Sequence, residues 1–377
     1  MSNELAAIRE RLRWLGALRE PSVAMQWTLP QWERVVRIAR PHRLLARLAT
    51  ALDRAGLLNS VPPDPQRHLV SSMRISRWRT SQMHWALERV RAALGQTTQT
   101  CVLLKGAAYI AQGLPTATGR LPADVDVLFP KADLPAIVDK LKNAGWVEAE
   151  VDAHDRRYYY EWSHEIPPMT HSLHGIELDV HHNILPPVAR TTVDANLLLA
   201  RIQSCDLPGW QVLHPVDQVL HCASHLFLDS EARVRLRDLV DLDGMMRHFG
   251  ALPWFWEELP LRAQQLGLTE PLALALHFCV RWLETPVPDA LLQSPAVRAT
   301  QGLRSLWIKA LWARSLTPIE PDTSAPWGQD AAATLLLARY HHQRMPLRLL
   351  VPHLWHKLHP PKPAATMMAP QDEDQPR

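Results

Sequence analysis

Residues 100–184 break the helical period that governs the rest of this 377-residue chain. TCVLL (100–104) is a short, apolar, β-leaning run that stops at Lys105-Gly106. A helix of small residues follows, GAAYIAQGL, then a loop, PTATGRLPA, and a second β-leaning run, DVDVLF (124–129). The period returns to helix over about 132–144 and closes at Gly145. Two further strands are expected at RRYYYEW (156–162) and GIELDVHHNI (175–184). So many changes of period within one short stretch restrict it to a small α/β unit.

The flanking regions read as helices. Leu5, Ile8, Leu12 and Leu15 share one helical face, as do Val35, Ile38, Leu44, Leu45 and Leu48, with Pro41 expected to open a new helix. A Pro-rich turn at 61–66 precedes a long helix over 67–95 that ends near Gly95. Beyond 191, Pro215 opens another helix, and Asp229 or Ser230 is the expected cap of the next. The expected organisation is an N-terminal helical region over 1–98, an α/β core over 99–190 and a C-terminal helical domain over 191–355. Residues 356–377 are Pro-rich and nearly free of large apolar side chains, so they are expected to be a disordered tail. The fold class is α+β, a small α/β core between helical regions.

Hydrophobic residues make up 47% of the chain and charged residues 21%, enough apolar side chains to bury a core. With 41 basic and 38 acidic residues, no global field draws the protein to nucleic acid or to anionic lipid. Seven of the basic residues are Lys, so 41 − 7 = 34 are Arg, a bias that genome composition explains as readily as phosphate binding. Cys101, Cys205, Cys222 and Cys279 are scattered in apolar stretches without a CxxC pair, and read as small buried hydrophobes in a reducing compartment. No apolar run reaches membrane-spanning length, since even LALALHFCV is closed by Arg281, and the first residues lack a signal-type apolar core. A cytoplasmic protein with no membrane partner is expected.

Chemistry concentrates between 105 and 129. Asp124 and Asp126 are two apart in a strand, so both project from one face with Cβ atoms about 7 Å apart. Two carboxylates so placed can share a divalent cation, and no Lys or Arg within 121–130, with Lys131 just beyond, makes a local salt bridge the obvious explanation. Glu177, Asp179 and His181 alternate on a later strand and offer a third carboxylate. Lys105-Gly106 ends a strand just before a helix, where glycine admits close approach and free N–H groups attract an anion. Phosphate at that bend and Mg²⁺ (or Mn²⁺) on hard oxygen ligands is an arrangement suited to nucleotide chemistry.

The run LLKGAAYIAQGLPTATGRLPADVDVLF resembles the uncharacterised bacterial nucleotidyltransferase family of the polymerase-β-like nucleotidyltransferase superfamily. The later Asp179-Val180-His181, the stretches LHPVDQVLHCASHLF and LRDLVDL, and the approach WERVVRIARPHRLLARL extend the similarity over roughly 25–250. The resemblance implies a small nucleotidyltransferase core that transfers an NMP from an NTP donor to an acceptor hydroxyl. It implies Asp124 and Asp126 as the metal-binding pair, Asp179 as third ligand or base with Glu177 as its rival, and Gly106 as the phosphate-loop glycine. The chain reads Lys105-Gly106-Ala107 where the superfamily carries Gly-Ser or Gly-Gly, so Lys105 or Arg120 is assigned to the phosphates. The acceptor, whether small molecule, tRNA or protein, is not identified. The alternative is a catalytically inactive scaffold of the same fold that binds nucleotide or a partner.

Other groups have plainer readings. Asp217, His221 and His225 lie on one helix and could hold a metal, but a hydrogen-bonded polar stripe at an interface is favoured. Arg74, Arg77, Arg79, Arg89 and Arg91, with Trp78 and Trp85, could bind RNA. Nucleic acid is the less favoured partner, because such a stripe is more commonly a solvated face with its Trp turned inward.

Overall fold

The computed structural model describes residues 8–359 except 9, 174, 176, 229–232 and 299–301. The expected cap at Asp229 or Ser230, the helical position of Leu5 and most of the expected tail lie outside the described residues. A mixed sheet is built from β1 (Val102–Leu103), β2 (Val125–Leu128), β3 (Trp146–Glu148), β4 (Met169–His171), β5 (Glu177–His181), β6 (Gln203–Ser204) and β7 (Gln211–Val212). Its order is β3-β4-β5-β2-β1-β7-β6. One face of the central strands is wholly apolar: Val125, Val127, Leu178 and Val180 are all buried. β2 and β5 run parallel with Asp126 opposite Asp179 and Leu128 opposite His181.

Helices enclose this sheet, and the class is α+β as expected. The helix Pro63–Leu94 spans 32 residues, begins with Pro at its first position and stops at Gly95, whose φ of 57° suits glycine. Pro41 opens no helix. The chain turns through 40–43, with Arg43 at φ 55°, and the next helix starts at Leu45. Helix Pro215–Phe227 is buried along nearly its whole length, because helices Leu236–Phe249, Phe255–Gln265 and Thr269–Leu283 pack around it. Helix Leu347–Leu358 is seated by a small apolar cluster of Trp162, Met345 and Leu350. One continuous apolar core runs from Ile8 to Leu336 and joins the N-terminal helices, the sheet and the C-terminal helices. Among the described residues, no helix is long and apolar enough to cross a membrane. Cys101, Cys222 and Cys279 are buried, and all four cysteines are free thiols.

Two further features differ from the sequence expectation. The aromatic run at 156–162 is helical, not a strand: Asp152 caps Ala153–Arg157 by accepting the Asp155 N–H at 2.8 Å, and Tyr158–Trp162 continues as a π turn. Its β-favouring tyrosines are overridden by packing, with Tyr158 stacked 4.9 Å from His353 of the C-terminal helix. Conversely, β3, β4, β6 and β7 are strands of two or three residues, too short for alternation to mark them. β6 and β7 lie beyond residue 191, in sequence that reads as helical, and extend the sheet past β1.

Buried charge ties the helical regions to the core. Asp241, 1% exposed, accepts from both Arg47 of the N-terminal helices and Arg120 of the loop before β2, the latter at 3.0 Å. Thr116 Oγ1 completes the cluster at 3.2 Å from Asp241 Oδ1. Removing the carboxylate would leave two buried guanidiniums without a counter-charge. Asp241→Ala is therefore expected to lower unfolding free energy by about 3–5 kcal/mol, read from chemical denaturation. A surface control such as Asp64→Ala, whose carboxylate lies on an exposed helix start, should stay within about 0.5 kcal/mol of wild type.

Candidate active site

Asp124 precedes β2, Asp126 lies within it and Asp179 lies opposite on β5. Each offers a carboxylate oxygen within 4.8 Å of the others. β-sheet pairing produces this convergence, since a parallel register aligned at 126 and 179 places like-facing side chains side by side. Glu177, on the same strand face, is exposed and stands outside the group.

The charge is partly offset from within. Asp126, 2% exposed, accepts at Oδ1 from Lys105 Nζ at 2.7 Å and faces His181 Nε2 at 3.1 Å. Burial alone would raise the Asp126 pKa, but the Lys105 charge and the His181 hydrogen bond hold it well below the usual carboxylate range. Burial alone would lower Lys105, and the Asp126 charge more than reverses that. Compensation at Asp179 is weaker. Burial, then the Asp126 charge, pushes it up to about 7. Asp124 is raised for the same two reasons in the same order. The site thus holds excess negative charge on three hard oxygens, and Asp126 Oδ2 takes part in neither the Lys105 nor the His181 contact. These donors fit Mg²⁺ or Mn²⁺.

A cleft of about 300 Å³ opens beside Asp124 and Asp126. Its lining is otherwise largely basic: Arg43, Lys105, Arg120, Arg235 and Arg237, with His42 and His225. Three of the non-glycine residues held at positive φ line it, namely Arg43 at 55°, Lys105 at 43° and Val234 at 59°. Left-handed backbone costs of order 1–3 kcal/mol at such residues and gathers where function requires a fixed geometry. For β-branched Val234 it is a true outlier.

The structure brings Asp124, Asp126, Asp179, Lys105, Gly106 and Arg120 into one neighbourhood, with specifics that the sequence did not reveal. A salt bridge to Asp126 does exist, from Lys105, which is 21 residues away in sequence but adjacent across β1 and β2. Arg120 is 6% exposed and committed to Asp241. The close approach that Gly106 permits is that of Arg120: a Cβ at 106 would lie 2.2 Å from its Nη1. Arg43, Arg235 and Arg237 carried no signal because they come from distant helical segments. Arg235 and Arg237 are oriented by Asp238, at 3.0 and 3.1 Å. Asp217 serves no metal with His221, since its carboxylate is taken by Arg262 at 2.7 and 2.9 Å. His225 does reach the cleft. Trp78 does not turn inward. It is 56% exposed beneath Arg79, whose guanidinium carbon is 5.3 Å from the ring centroid.

A mixed sheet carrying three convergent carboxylates beside a basic cleft is the arrangement expected from the motif run. The chain belongs to the family described as uncharacterised nucleotidyltransferase, whose model matches residues 28–284. That span takes in the residues lining the cleft and bears out the resemblance read from the motif run. No curated protein and no solved structure matches the chain significantly.

Two outcomes follow from this geometry. Without metal, Asp179 holds its proton up to about pH 7 when folded but only to about pH 4 when unfolded. Its contribution to stability is therefore full below pH 4 and lost as pH rises to 7. Asp179→Asn should gain stability relative to wild type across that window and hold the gain above it, as a rise of a few degrees in melting temperature at pH 8. Gly106→Ala should displace Arg120 and cost about 1–3 kcal/mol in denaturation, although its side chain is the smallest that could be added.

Proposed function

We propose that the protein is a divalent-metal-dependent nucleotidyltransferase moving an NMP from an NTP to an acceptor hydroxyl. The observation that carries this is the convergence of Asp124, Asp126 and Asp179 from two paired strands beside a basic cleft. Asp124, Asp126 and Asp179 would hold the ion, which supplies charge neutralisation of the triphosphate and activation of the attacking oxygen. Arg43, Arg235 and Arg237 are placed to receive phosphate oxygens, and the planar guanidinium suits them better than an ammonium does. Lys105 holds Asp126 ionised and also lines the cleft. Asp179 is placed to serve as the third ligand or as the base that accepts the acceptor hydroxyl's proton. Rate enhancement then rests on positioning and on charges fixed before the substrate arrives.

One feature supports the inactive-scaffold alternative: the Lys105 ammonium already sits on Asp126, as a cation replacing a metal would. Calorimetry with each NTP separates the two readings, because the enzyme requires binding that strengthens with Mg²⁺. Asp124→Asn should lower labelled-NMP transfer by roughly 10²–10³ or more, measured against cell extract as acceptor source, with circular dichroism unchanged. Wild-type rates in that variant would end the proposal.

A further inference from the structure

A second group of donors lies behind the carboxylates. Residues 164–166 run antiparallel to the end of β5: the His182 N–H donates to the His164 carbonyl at 2.8 Å, and the Ile166 N–H to the Val180 carbonyl at 3.0 Å. This pairing sets His164 and Glu165 against His181, and the three offer ligand atoms within 4.8 Å of one another. The His164 and His181 rings lie 5.3 Å apart between centroids.

The hydrogen bonding here is incomplete in an informative way. His181 is 2% exposed and its Nε2 faces the ionised Asp126 at 3.1 Å, so Nε2 must carry the proton. Nδ1 is buried without a hydrogen-bond partner, and the group nearest it is the Glu165 carboxylate, with Oε2 at 3.5 Å. The separation exceeds the roughly 2.7–3.2 Å of an N–H···O hydrogen bond. It is close to the edge of a tetrahedron, about 3.3 Å, formed by ligands about 2.0–2.1 Å from zinc. His164 Nδ1 is likewise buried and unpartnered. Burial holds the His164 pKa well below its ordinary value, so the ring is neutral and competent as a ligand. A proton shared between His181 and Glu165 would satisfy two of these atoms and leave the third bare. A metal ion satisfies all three.

We propose that His164, Glu165 and His181 form a second metal site, selective for Zn²⁺ or a similar borderline cation over Mg²⁺. Two imidazoles and one carboxylate are the donor set of three-ligand zinc sites that retain an open position. The Asp126–His181 contact then acts as a carboxylate–histidine–metal relay, in which Asp126 orients the ring and raises its basicity. The proposal does not depend on nucleotidyl transfer, since its donors and its test involve no nucleotide.

The test uses the full chain stripped with chelator and held in excess Mg²⁺ to occupy the three-carboxylate site. Co²⁺ is added as a spectroscopic substitute for zinc. We expect one Co²⁺ per chain with the intense visible bands of a low-coordinate nitrogen-ligated ion, displaced by Zn²⁺. His164→Ala should abolish the bands, and Glu165→Gln should weaken binding by at least the roughly 10–100-fold seen on losing even an outer partner. Asp124→Asn should retain them. Bands absent from wild type, or persisting unchanged in His164→Ala with native circular dichroism, overturn the proposal. So does their loss in Asp124→Asn, which would place the cobalt on the carboxylates. Should His164→Ala misfold, Glu165→Gln decides alone: unchanged affinity in it overturns the site.

Discussion

The parallel pairing of β2 with β5 governs this molecule. It sets Asp126 beside Asp179 across a hydrogen-bonded register, with Asp124 just before the strand. Three carboxylates thereby lie closer together than isolated charges would tolerate, and the surroundings can be understood as the response. Lys105 and His181 neutralise the most buried of the three. Asp179 keeps its proton to about pH 7 because burial and the Asp126 charge outweigh the opposing His181 charge. Apolar strand residues on both sides hold the backbone in place, so the repulsion cannot relax by separating the strands.

The same logic extends to the basic residues of the cleft. Asp241 anchors Arg47 and Arg120, and Asp238 orients Arg235 and Arg237, so the guanidiniums are fixed by buried acids. Arg43, Lys105 and Val234 hold left-handed backbone around the same cleft. These costs are met by the core that joins the helices to the sheet. A site with unbalanced acids and strained, anchored bases is ready for a polyanion accompanied by a cation, and it is less stable without them.

Much of this was legible in the sequence for local reasons. The β2 run and its Asp-x-Asp spacing show strand periodicity, and Asp179-Val180-His181 shows the same alternation, so both acidic faces could be read from side-chain order alone. The long helix ending at Gly95 and the helix opened by Pro215 announce themselves by their termini. The tyrosine run at 158–160 misleads because aromatic β-propensity is a weak preference, here reversed by a capping aspartate and by stacking on His353. The two- and three-residue strands carry too few side chains to display any period.

The sequence by itself determined which residues could do chemistry: three acids in alternating runs, a lysine and glycine at a strand end, and a family likeness that the match over 28–284 confirms. Only the tertiary structure decided what those residues do to one another. It placed Lys105 on Asp126, Arg120 on Asp241, and His181 between Asp126 and Glu165, and it brought Arg43, Arg235 and Arg237 from remote segments to the cleft. The division has a physical cause. Periodicity is a property of neighbours along the chain, whereas ion pairing and burial depend on distances through space, which only the completed packing sets.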